Sequence, residues 1–363
     1  MALEKKVIAF YIGSLSRGGA ERVMVNLSRY FFGQGYRVYL VTKTVDEPEY
    51  EVPEGVTRII ADITSEEESS SRIANLKNRI MKLRNIWKEI NPDIIVSFIR
   101  KNNLMAIASS RGMNIPVVVS IRSNPARELQ GKVFMPLSLF LFRFADGIVM
   151  QTSQAKDFLP GYLQKKAVIM PNSLSEQFLS VELSDVRRKE IVTVGRIDDN
   201  KNQKMLVEAF AEIKEKFPEW SLHLYGDGDR KKKLEEQYGA EQIVFHGQTP
   251  DVVSCIKDSS IFVLPSRQEG MPNALIEAMA LRMACISTDC PCGGPADLIN
   301  SGENGILIPV DDKQALKEQL ARVMSNDELR RKLGENARAS VEKLNPETVN
   351  GKWKEYIEKI GKL

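Results

Sequence analysis

The residues best suited to chemistry lie in one run, Arg267-Gln268-Glu269-Gly270-Met271-Pro272-Asn273-Ala274-Leu275-Ile276-Glu277-Ala278-Met279-Ala280. The run follows directly on a candidate strand, Ile261–Leu264. Pro272 suits a first helical position, because the N–H it lacks has no intrahelical partner there. From Asn273 onward the pattern is helical. The backbone N–H groups of Asn273, Ala274 and Leu275 would then be unpaired at the strand's carboxyl end, a phosphate site made by a helix N-terminus. Open α/β sheets bind their ligands at that end. Glu277, one turn into the helix, could accept hydrogen bonds from a diol such as a ribose. Glu269, just before the helix, lies where a sugar ring would be.

Two further turns bear on this chemistry. In Gly195-Arg196-Ile197-Asp198-Asp199-Asn200-Lys201, Arg196 and Lys201 are cations at a βα turn. They can neutralise a diphosphate as it becomes a leaving group. In Gly13-Ser14-Leu15-Ser16-Arg17-Gly18-Gly19, the paired glycines let backbone come close to a bound group. This second turn lacks the three spaced glycines of a dinucleotide fingerprint. A plain glycine turn explains it as well. Tyr225-Gly226-Asp227-Gly228-Asp229 is a third candidate turn. Its Asp-Gly-Asp spacing could hold a metal, but glycine-rich neighbours fit a turn equally.

Positioning these residues requires alternating strands and helices. Strands are predicted at 7–12, 36–42, 94–98, 117–121, 147–151 and 168–170, with helices at 20–32, 71–90, 103–110 and 132–144 between them. The strands are apolar without alternation, which implies a parallel sheet covered on both faces. The alternation pauses near 171–189 and restarts with strands at 191–194, 222–225, 243–245, 261–264 and 285–288 and a helix at 205–217. The reading is α/β, with two doubly wound domains: residues 1–172, joined by a terminal helix 346–363, and residues 173–345. The polar stretch 65–71 reads as a mobile loop.

Composition narrows the class. The chain has 363 residues, 43% hydrophobic and 27% charged, which suits two globular domains. Residues 1–172 carry 24 Lys and Arg against 16 Asp and Glu, a net of +8. Residues 173–363 carry 27 against 32, a net of −5. A basic first half suits an anionic partner, either a phosphate-bearing acceptor or a membrane surface. Solvated surface charges that fell unevenly are the plainer account. No aromatic-interleaved basic stripe points to nucleic acid. Cys255, Cys285, Cys290 and Cys292 all lie in the second half, and neither His223 nor His246 is spaced to complete a zinc site with them. They read as reduced thiols of a cytoplasmic protein. The apolar stretch 133–144 is too short to span a bilayer and reads as a core helix.

Together, Gly195-Arg196 with Lys201, Gly226-Asp227-Gly228, the Glu269 to Glu277 run, Gly293-Gly294 and Asn304-Gly305 resemble family-4 retaining glycosyltransferases of GT-B architecture. The resemblance covers essentially the whole chain. It implies two Rossmann-like domains facing a central cleft, with the terminal helix crossing back to the first. Arg196 and Lys201 would hold the donor diphosphate, with Gly19, Gly195, Gly226, Gly270, Met271, Asn273, Ala274 and Leu275 along the donor. Glu277 would hold the ribose and Glu269 the transferred sugar. Gln248 and the Ser266 loop would flank the base. No divalent metal and no cofactor beyond the UDP-sugar substrate are implied.

A narrower resemblance rests on Ser97-Phe98, Val119 to Pro125 and Ser287 to Pro291. It points to a subgroup that adds hexoses or N-acetylhexosamines to polyprenyl-diphosphate-linked or capsular glycans. Arg122, Asn124 and Arg127 would face the acceptor or the sugar. The basic first domain would meet the inner face of the membrane. The chain departs from the family in lacking a first-domain His aimed at the sugar; residues 120–124 stand in that place. A front-face substitution fits better than a covalent intermediate, since Glu269 is expected on sugar hydroxyls. The alternatives are a nucleotide-sugar epimerase on the same fold and a non-catalytic nucleotide-sugar-binding partner subunit.

Overall fold

The computed structural model describes residues 5–16, 18–132 and 134–363. It divides the chain into two compact units, one of residues 1–171 with 349–363 and one of residues 172–348. Asn172 and residues 346–348 thus belong to the second unit.

The first unit holds seven parallel strands: β1 (Val7–Ile12), β2 (Arg37–Thr42), β3 (Thr57–Ile60), β4 (Ile94–Phe98), β5 (Val117–Ser120), β6 (Gly147–Met150) and β7 (Ala167–Ile169). Their order is β3-β2-β1-β4-β5-β6-β7. The order reverses between β1 and β4, which opens a ligand crevice at the carboxyl ends of those strands. β4 is buried throughout, because helices cover both faces. Ser71 starts the Arg72–Ile90 helix by accepting a hydrogen bond from the Ala74 N–H, and left-handed Asn91 ends it. The terminal helix, Pro346–Gly361, buries Val349, Trp353 and Ile357 in this unit's core with Phe10, Phe31 and Val96. The Trp353 ring lies 5.8 Å from that of Phe98.

The second unit holds six: β8 (Arg188–Val194), β9 (Ser221–Tyr225), β10 (Ile243–Gly247), β11 (Ser259–Leu264), β12 (Ala284–Thr288) and β13 (Ile306–Ile308), in the order β10-β9-β8-β11-β12-β13. Leu206, Phe210, Trp220 and Leu320 fill the core on one face of this sheet. Leu275, Met279 and Val341 fill the core on the other.

The structure corrects four expectations. The edge strands β3 and β13 were not foreseen; at four and three residues they are too short for a periodic signal. The helix expected at 205–217 is an α-helix, Gln203–Ala211, followed by a separate 3₁₀ turn, Lys214–Lys216. The stretch at 65–71, expected without partners, carries surface contacts: Glu67 accepts from the Thr64 N–H and pairs with Lys82, and its carbonyl accepts from Asn78. The stretch at 133–144 is not a core helix. Residues Phe134–Leu141 form an α-helix and Phe142–Phe144 a 3₁₀ turn. Only Ser138 and Phe142 are buried on them; Val133 lies outside the described residues.

Candidate active site

The site in the second unit is built from three loops at the carboxyl ends of β8, β11 and β12. The Gly195–Asn202 loop is stitched to the Ser266–Gly270 loop. Asn200 Nδ2 donates to the Gln268 carbonyl at 3.1 Å, and the Arg267 N–H donates to the Asn200 carbonyl at 2.8 Å. Arg267 also donates to the Asp199 carbonyl and pairs with Asp311. The loop after β12 closes the other side. There the Glu269 N–H donates to the Pro291 carbonyl at 2.8 Å and the Cys292 N–H to the Glu269 carbonyl at 2.9 Å. Glycines permit this approach. A Cβ on Gly226 would stand 1.9 Å from the Gly195 carbonyl oxygen, and one on Gly294 would stand 1.7 Å from that of Gly270. Gly195 and Gly226 also hold φ of 146° and 144°, which side chains rarely adopt.

Within these loops the expected cation and carboxylate meet. Lys201 Nζ lies 2.7 Å from Glu269 Oε1, and Ser266 Oγ donates to the same oxygen at 2.6 Å. Both ionic side chains are largely buried, at 25% and 11% exposure. Asp198 anchors the lysine's backbone by accepting its N–H at 2.7 Å. Arg196 is different: its side chain is exposed, and among the described residues its one ion pair is a 3.9 Å contact with Asp198. Glu277 is buried one turn into the Asn273–Ala280 helix.

Pro272 is the residue that caps this helix, in an extended conformation, and not its first helical residue. Its carbonyl accepts from the Leu275 N–H at 3.2 Å, so Leu275 is not the open donor expected. Among the described residues, the Asn273 and Ala274 N–H groups keep no partner, and the positive end of the helix dipole adds to their pull on an anion. Buried Met271 orients the turn, its carbonyl accepting from Asn172 Nδ2 at 2.9 Å. Gln248 is exposed just after β10. The Gly228 N–H donates to its neighbour Asp227 Oδ1, which marks that segment as a turn.

Sequence reasoning missed the frame around Glu269. Thr288 Oγ1 donates to the Ser266 carbonyl at 2.5 Å. Buried Cys290 sits close enough to Glu269 that burial, and then that carboxylate, push its thiol up to about 12. All four cysteines are free thiols. Only the nearness of Cys290 and Cys292 to Glu269 in the fold signals this frame.

In the first unit, Gly19 begins the Gly19–Gly33 helix and Gly18 caps it; Arg17 lies outside the described residues. Asn124 caps a short helix, its Oδ1 accepting from the Ala126 N–H at 3.0 Å. The Arg122 guanidinium lies 4.8 Å from the Phe98 ring centre, and burial lowers its pKa to about 10. Arg127 is exposed. Glu128 was not foreseen. It accepts from the Arg100 N–H and from Ser123 Oγ, both at 2.7 Å, and burial raises its pKa. It therefore joins the carboxyl ends of β4 and β5.

Two parallel α/β units, the second with a phosphate-ready helix and paired cation and carboxylate, define a protein of GT-B fold. Comparison of the chain with known proteins agrees. Residues 17–177 match the model described as Glycosyltransferase Family 4, and residues 175–340 the model described as Glycosyl transferases group 1. The chain belongs to this glycosyltransferase family. A Campylobacter jejuni relative, "GalNAc-alpha-(1->4)-GalNAc-alpha-(1->3)-diNAcBac-PP-undecaprenol alpha-1,4-N-acetyl-D-galactosaminyltransferase", is 26% identical over 97% of this chain and 98% of its own length. The amylovoran biosynthesis glycosyltransferase AmsD of Erwinia amylovora is 23% identical over 97% and 99%. Among solved structures, Anabaena HepE in complex with UDP and glucose superposes with a TM-score of 0.81 at 16% identity, covering 98% of this chain and all of that one. At that identity the likeness is one of fold. No helix among the described residues is long and apolar enough to cross a membrane.

Proposed function

We propose that this glycosyltransferase transfers a hexose or N-acetylhexosamine from a UDP-sugar to a lipid-linked glycan, with retention at the anomeric carbon and without a divalent metal or resident cofactor. The observation that carries the reading is the junction of Lys201, Glu269 and the open N–H groups of the Asn273–Ala280 helix at the ligand end of one sheet. Relatives named for undecaprenol-diphosphate-linked and amylovoran glycans support the acceptor class. The fold neighbour holding UDP and glucose supports the donor.

In this reading Lys201, Arg196 and the helix N-terminus carry the diphosphate charge, Glu277 the ribose hydroxyls and Glu269 the sugar hydroxyls. The bond from the anomeric carbon to the diphosphate breaks as the acceptor hydroxyl approaches on the same face, and the leaving diphosphate takes that hydroxyl's proton. Preorganised charges at a developing anion supply the stabilisation. Arg122, Asn124 and Arg127 serve the acceptor side. The lipid-linked acceptor is reached from the inner face of the membrane, where the basic first unit meets anionic headgroups.

The test is isothermal titration with UDP, GDP and ADP, first without metal and then with magnesium. UDP binding without metal, lost in Glu277→Ala, is expected. A preference for GDP replaces the donor, and no nucleotide binding at all overturns the reading.

A further inference from the structure

The helix and 3₁₀ turn at 134–144 present an apolar face that nothing in the first unit covers. Ser138 and Phe142, four residues apart, point inward. The rest of the surface exposes Phe134, Leu137, Phe140 and Phe144, at 61%, 45%, 49% and 38%. Spacings of three, three and four residues set them along one stripe. Water-facing phenylalanines at this density are unusual on a folded surface and mark a place of contact.

Charge says what the contact is. Each of the three exposed phenylalanine rings has a guanidinium beside it: Arg100 lies 5.9 Å from the Phe134 ring centre, Arg143 5.7 Å from that of Phe140 and Arg111 4.2 Å from that of Phe144. Residues 129–145 hold Lys132 and Arg143 and no acid. The acids that flank the stretch are turned onto backbone, Glu128 to the Arg100 N–H and Asp146 to the Val117 N–H. Apolar side chains rimmed by cations suit a boundary with acyl chains below and anionic headgroups around. The stretch is far too short to span, so it would lie in the plane of that boundary.

We infer that the 134–144 face is a membrane-docking surface that seats Phe134, Leu137, Phe140 and Phe144 in an anionic bilayer, with Arg100, Arg111 and Arg143 on its headgroups. It gives a place to the membrane contact proposed above and rests on that reading. Seating this face would hold the first unit where a lipid-linked acceptor is presented.

The experiment is flotation of the full chain with acceptor-free vesicles, either of equal phosphatidylglycerol and phosphatidylcholine or of phosphatidylcholine alone. Wild type should float with the first and not the second, and the binding should weaken as salt rises. Leu137→Ser with Phe140→Ser should lower the partition at least tenfold. Arg111→Gln and Arg143→Gln should each lower it roughly fivefold. UDP titration of each variant reports that the rest of the chain is folded. Wild type that stays unbound, or variants that float like wild type, overturn the inference. So does a wild-type dimer that Leu137→Ser dissociates, because a second copy then covers the face. Transfer to a short, water-soluble acceptor should survive the Leu137 and Phe140 changes. Loss of transfer and loss of flotation therefore report separately on the two readings.

Discussion

Lys201 Nζ stands 2.7 Å from Glu269 Oε1, joining two loops 68 residues apart at the carboxyl ends of β8 and β11. The pair neutralises two largely buried charges. In the proposed function each is also a group that a sugar diphosphate uses, so donor binding would exchange this contact for new ones. Lys201→Met leaves Glu269 buried with only Ser266 as hydrogen-bond donor, which costs about 2 kcal/mol of stability. Lys201→Met with Glu269→Gln should recover part of that loss. Urea denaturation of the two single variants and the double variant measures the coupling, and strictly additive losses would show that the contact is not maintained in solution.

Glu269→Gln keeps the hydrogen bond to Ser266 in reach but removes the charge. Transfer should fall by at least 100-fold, about 3 kcal/mol of transition-state stabilisation. UDP affinity should change little. Single-turnover rates beside titration separate the two effects.

Glu277→Gln tests the proposed ribose contact. The carboxylate is buried within the Asn273–Ala280 helix. Loss of charge-assisted hydrogen bonds to a diol should weaken UDP binding at least tenfold. Unchanged affinity by titration would remove Glu277 from the donor site.

Gly226→Ala probes the packing of the loops. The added Cβ would meet the Gly195 carbonyl oxygen at 1.9 Å, at φ of 144°. The strain and the displaced loop should cost at least ~3 kcal/mol. Thermal melting with and without UDP would show both lower stability and weaker binding, since Gly195 leads into Arg196.

The only two histidines predict a pH dependence. His223 Nδ1 and His246 Nε2 are 2.8 Å apart, and Tyr225 stacks on His246 at 4.4 Å. Burial holds both pKa values below the ordinary one, with the neighbouring His246 adding to the effect on His223. The folded chain then binds fewer protons than the unfolded chain just below pH ~6.5. Stability should fall as pH drops through that value and level off below the folded pKa values. Urea midpoints from pH 8 to pH 5 would trace the decline, and His223→Phe with His246→Phe should flatten it.

Much of the fold was legible because its signals are local. Short apolar runs without alternation at 7–12, 94–98 and 261–264, separated by helical patterns, read as strands covered on both faces. Helical spacing in the last segment marked Val349, Trp353 and Ile357, which are buried. The edge strands β3 and β13 carried too few residues for any period to show. Pro272 was misplaced by one position, because a proline that caps a helix and one that opens it leave the same sequence trace.

The sequence by itself determined the order of the longer elements, the loops that follow β8 and β11, and the chemical types gathered there. A residue's type and the period around it are properties of the chain alone. Only the tertiary structure decided that Lys201 pairs with Glu269, that Glu128 ties β4 to β5, and that Phe134, Leu137, Phe140 and Phe144 face outward. An apolar stripe reveals that a face can be buried, but whether another element covers it depends on segments distant in sequence. The partner of a charge is likewise set by which loops a sheet brings together.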